Sequence, residues 1–199
     1  MFKKKKSLLT TLLLTMTLTL MLSSQASAET SPHFGKRLTT GVLNRYYYID
    51  SYAASWFGSD IRNAVYEWNN TSHILYTSIW LMETSSQANS QFDVYRGYLA
   101  PSEPNTVVLG RTRFYTGSTE VNPMYNDWYW TDITIANATA EMGGSYPYPK
   151  ATTSHEFGHA MGLAHQNATP SSIMAQTKDR DKAVTRAHYM DLYHINQLY

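Results

Sequence analysis

The chain has 199 residues, enough to bury a sizeable core in one or two domains. Lys plus Arg total 16 against 15 for Asp plus Glu, and a net charge of +1 gives no electrostatic footing for nucleic acid. There is no Cys, which removes disulfides, thiolate metal sites and a cysteine nucleophile, and 14% aromatic content argues against intrinsic disorder.

The charge is unevenly placed. Lys3, Lys4, Lys5 and Lys6 precede an apolar, threonine-rich run over 8–22, and Ala26-Ser27-Ala28 supplies small residues before Glu29. This layout predicts a secretory signal peptide over 1–28 rather than a membrane anchor, since a spanning helix needs about 20 apolar residues. Removal of those residues leaves a 29–199 domain of 171 residues, and losing four lysines takes its charge to −3. The expectation is a secreted, monomeric protein with no membrane association after cleavage.

An extended lead-in is expected over 29–40 and a short strand over 46–49. Phe57, Ile61, Ala64, Val65 and Trp68 fall on one face of an amphipathic helix, with Ser59 as its N-cap and Asp60 in the first turn. Strands are expected over 74–82, 92–98, 106–115 and 128–136. Helices follow over 153–163 and 186–199, the latter aligning His188, Leu192, Ile195 and Tyr199. A helix among strands followed by two helices predicts an α+β domain.

The chemistry is concentrated in the run from His155 to His165, HEFGHAMGLAH. On a helix His155 and His159 project from the same face one turn apart and can share a zinc ion. Glu156 adjoins the first of them, placed to reach water at the metal without being a ligand. Gly162 tolerates the left-handed conformation that ends a helix, so the chain can turn and return His165 as a third ligand. Three neutral imidazoles leave one position open, as catalytic zinc sites do. Composition alone would produce these five residues at this spacing about once in 10⁵ chains of this length.

HExxHxxGxxH followed by a Met-turn resembles the metzincin zinc peptidases, and Met174 in Ser172-Ile173-Met174 is the Met-turn residue that the resemblance implies. Within that group the motif, the Ser-Ile-Met and the closing helix ending in Leu198-Tyr199 are similar to the matrixins. The resemblance implies a twisted mixed sheet with an antiparallel edge strand, an active-site helix, a Met-turn and a C-terminal helix. It also implies a zinc endopeptidase in which Glu156 activates water held at the metal. An extended peptide or protein substrate would pair antiparallel to an edge strand, for which Thr131, Ile133 and Ile135 in 131–136 are the candidates.

Three features depart from the matrixin pattern. Without Cys there is no residue through which a cysteine switch could act. Ala175-Gln176 follows Met174 where matrixins often place Tyr-Pro, and the mixed-charge run at 178–182 reads as solvated loop. Asp93, Asp127 and Asp132, which could bind calcium, are scattered and form no loop motif, so calcium has no support in the sequence. Two other readings stay open: a non-catalytic zinc-containing module that binds peptides or cell-wall material, and a metallohydrolase that cleaves another bond.

Overall fold

The computed structural model of the chain describes residues 31–101, 107–141, 148–176 and 184–199. The expected signal peptide, the start of the 106–115 strand and the charged run at 178–182 lie outside them. Strand β1 (Arg45–Ile49) leads directly into helix α1 (Ser51–Asn69). Asp50, not Ser59, caps that helix by accepting the Tyr52 N–H at 2.8 Å. Ser59 is exposed in mid-helix. The helix therefore begins eight residues before Ser59, and its first two turns lacked a clean apolar stripe because Tyr52 and Trp56 face solvent. The expected face is the buried one: Phe57, Ile61, Ala64, Val65 and Trp68 are all inside.

The remaining strands are β2 (Leu81–Glu83), β3 (Phe92–Gly97), β4 (Gly110–Thr116), β5 (Thr119–Val121) and β6 (Trp130–Ala136). They form one six-stranded mixed sheet in the order β2-β1-β3-β6-β4-β5. The first four in that order run parallel, while β4 is antiparallel to β6 and β5 to β4. Strand alternation sends Tyr47, Ile49, Phe92, Val94, Ile133 and Ile135 into the core with the buried face of α1. Asp93 and Asp132 are register partners on the opposite face. Asp132 is ion-paired with Arg113.

Two strand expectations are corrected. Residues 74–80 join no ladder, and only β2 pairs. Their backbone is satisfied elsewhere: Asn196 donates to the Tyr76 carbonyl and Arg45 N–H to that of Trp80. More consequentially, the 131–136 stretch is not an edge strand. β6 is hydrogen-bonded to β3 on one side and β4 on the other, so it has no free edge to offer a peptide. Thr131, Ile133 and Ile135 are fully buried and cannot contact a substrate. All six residues of 131–136 are buried, as in a strand covered on both faces.

Helices α2 (Ala138–Glu141), α3 (Tyr148–Ala160) and α4 (Tyr189–Leu198) complete the fold. α3 starts five residues earlier than expected; Pro149 fits its first turn, where the missing N–H has no intrahelical partner anyway. It packs against α1, where the Trp68 indole N–H donates to the Ser154 carbonyl at 3.0 Å. α4 starts three residues later than expected, with His188 and Asp191 forming a capping box. Among the described residues no helix is long and apolar enough to cross a membrane.

Candidate metal centre

His155, Glu156 and His159 sit on the last two turns of α3, which ends at Ala160. Gly162 makes the turn with φ +104°. A Cβ there would stand 2.7 Å from Leu198 Cδ1, so α4 closes over the turn too tightly for a side chain. The chain then brings His165 back to the helix. The three rings lie with centroids 4.6 to 5.3 Å apart, and their ligand atoms fall within 4.8 Å of one another. Among the described residues this is the one cluster of three or more metal-binding side chains.

The hydrogen bonds fix which nitrogen of two histidines is free. His155 Nδ1 meets the Ile173 carbonyl at 2.7 Å, and His159 Nδ1 meets the Leu163 carbonyl at 2.8 Å. A carbonyl only accepts, so both Nδ1 atoms carry the proton and both Nε2 lone pairs point into the cluster. His159 Nε2 and His165 Nε2 are 3.1 Å apart. Two ligands each about 2.0–2.1 Å from a tetrahedral zinc would be ~3.3 Å apart, so the donor set fits that ion. Burial holds all three imidazoles below the usual histidine range, His155 down to about 4, which favours the neutral form a metal requires.

Glu156 is 5% exposed, and burial pushes its carboxyl up to about 7, opposed by a hydrogen bond from Thr112. A dication at the triad would pull it back toward the carboxylate. Thr112 Oγ1 donates to Glu156 Oε2 at 2.8 Å from β4. Met174 is fully buried with its sulfur against Gly158, where a Cβ would lie 2.3 Å from it. Only glycine at 158 lets this methionine seat beneath the helix segment that carries His155 and His159.

Several contributors carry no local sequence signal. Asp191 on α4 is 1% exposed and accepts from Ser172 Oγ, from the Ile173 N–H at 3.0 Å and from the His188 N–H at 2.7 Å. It thereby anchors the turn whose Ile173 carbonyl orients His155. The lead-in also takes part: residues 32–34 bond to 162–164, and the Phe34 ring stacks on His159 at 5.8 Å. Asp191→Ala would leave these buried donors unpaired, at a cost of about 3 kcal/mol. For a domain of this size the thermal midpoint should fall by roughly 6–12 °C; an unchanged melting curve would refute the anchoring role.

Neutral convergent histidines beside a buried carboxylate are the make-up of a metal-dependent hydrolase. The Matrixin family model matches residues 39–199, and the chain belongs to this family of zinc-dependent endopeptidases. No curated protein matches it.

Proposed function

We propose that the chain is an exported, monomeric zinc endopeptidase, with residues 1–28 removed on export and 29–199 forming the catalytic domain. One observation carries this reading: two histidine Nε2 lone pairs, fixed by carbonyls behind them, converge with His165, and Glu156 follows the first of these histidines on the same helix. When bound, zinc supplies polarisation of the scissile carbonyl and acidification of water. His155, His159 and His165 would hold it. Thr112 occupies Oε2 of Glu156, whereas Oε1 has no hydrogen-bond partner among the described residues. At Oε1 the glutamate takes a proton from the attacking water and returns it to the leaving nitrogen.

The edge that suits a peptide is β4, one strand beyond the stretch expected from sequence. β5 pairs with β4 only from Phe114 to Thr116, so the backbone of 110–113 has no strand partner on that side among the described residues. Gly110 packs against the Glu156 side chain, so an added strand would run past the carboxylate. A groove of about 510 Å³, lined in part by Thr112, Arg113 and Val121, borders this stretch.

Zinc-loaded 29–199 should cleave unfolded casein, lose activity to a chelator and regain it on zinc addition. A binding module would instead retain peptides uncut, so binding without cleavage across a broad peptide panel would overturn this function. Export is read separately, by sequencing the amino terminus of the protein recovered from medium, expected at Glu29.

A further inference from the structure

Gly110 and Thr112 are two residues apart on β4 and share the face turned to α3. Both press on the same side chain. The Thr112 hydroxyl lies 2.8 Å from Glu156 Oε2 and 3.0 Å from the Glu156 carbonyl oxygen. It has one proton, and the carboxylate is both nearer and the stronger acceptor. At Gly110 a Cβ would stand 2.6 Å from Glu156 Oε1 and 2.7 Å from its Cγ, closer than such contacts occur. The strand therefore seats the carboxyl group: glycine leaves room for the stem, and the threonine fixes one oxygen.

A glutamate in a roomier site samples several staggered rotamers, most of which would break the hydrogen bond to Thr112 and turn the carboxyl group. A base that must meet water at one point loses rate when its carboxylate wanders. We propose that Thr112 is a positioning residue for Glu156, holding one carboxylate oxygen so that the carboxyl group keeps a single orientation against β4. This rests on Glu156 being the general base.

The test compares zinc-loaded parent, Thr112→Val, Thr112→Ser and Glu156→Gln on fluorescein-labelled casein, with zinc content and melting curves recorded for each. Thr112→Val keeps the branched shape and removes the donor. Its kcat should fall about ten- to a hundredfold, the range for a hydrogen bond to a charged group. KM should stay within about twofold and zinc content should match the parent, while the buried oxygen left without its donor should lower the melting midpoint by only a few degrees. Thr112→Ser should recover kcat to within about threefold. A structural role predicts a different pattern: a loss of rate in Thr112→Val that is matched by lost zinc or lost folded protein at the assay temperature, with no recovery in Thr112→Ser. That pattern would overturn the proposal, as would a Thr112→Val kcat within twofold of the parent. If Thr112→Val does not fold, Thr112→Ala is read against the same criteria. An inactive Glu156→Gln beside a parent-like Thr112→Val defeats this proposal alone, whereas an active Glu156→Gln defeats the general-base reading beneath it.

Discussion

Glu156→Gln is expected to lower kcat by roughly 10²- to 10⁴-fold, the range for loss of a general acid–base group. The amide keeps the shape of the carboxyl, and its oxygen can still accept the Thr112 hydroxyl now held at 2.8 Å. Burial already disfavours charge at this position, as the upward shift of the Glu156 carboxyl shows, so a neutral side chain should fold at least as well. Zinc content should be unchanged, because no ligand is touched. What disappears is the ability to take a proton from water. Cleavage of casein at the parental rate would rule out Glu156 as the base, whatever metal the protein held.

His165→Ala is the counterpart for the metal. His155 and His159 are carried on one helix and backed by the Ile173 and Leu163 carbonyls. His165 arrives over the Gly162 turn and supplies the third imidazole. Losing an outer hydrogen-bond partner typically weakens metal binding by about 10–100-fold, so losing a ligand outright should exceed roughly 100-fold. Dialysis against a graded zinc buffer with elemental analysis would measure it. The fold should survive, because His165 is only part-buried and lies outside the core cluster. Zinc retained at the parental affinity would show that His165 is not a ligand.

The parts of the centre differ in how visible they are in the amino-acid sequence. His155, Glu156 and His159 belong to one helix, whose period fixes their relative directions, and Gly162 announces the turn that returns His165. Thr112 is 44 residues from Glu156. Asp191 is 18 from Ile173. Neither spacing leaves a periodic trace, because those contacts exist only after β4 and α4 have packed against the rest. Asp93 and Asp132 make the same point: scattered in the chain, they meet as register partners of β3 and β6. The first helix was legible by its buried stripe, yet its start was not, because its cap Asp50 precedes two exposed aromatics.

By itself the amino-acid order determined the local geometry of the three clustered histidines, the apolar face of α1 and the α+β character of the domain. The first two follow from spacing along one short segment, where backbone periodicity dictates side-chain direction, and the third from the order of such segments along the chain. Only the tertiary structure decided which strand has a free edge, because a strand's hydrogen-bonding edges depend on its neighbours and not on its own residues. Hence the 131–136 stretch, strongly β-forming, is enclosed by β3 and β4, and the backbone open beside Glu156 belongs to residues 110–113.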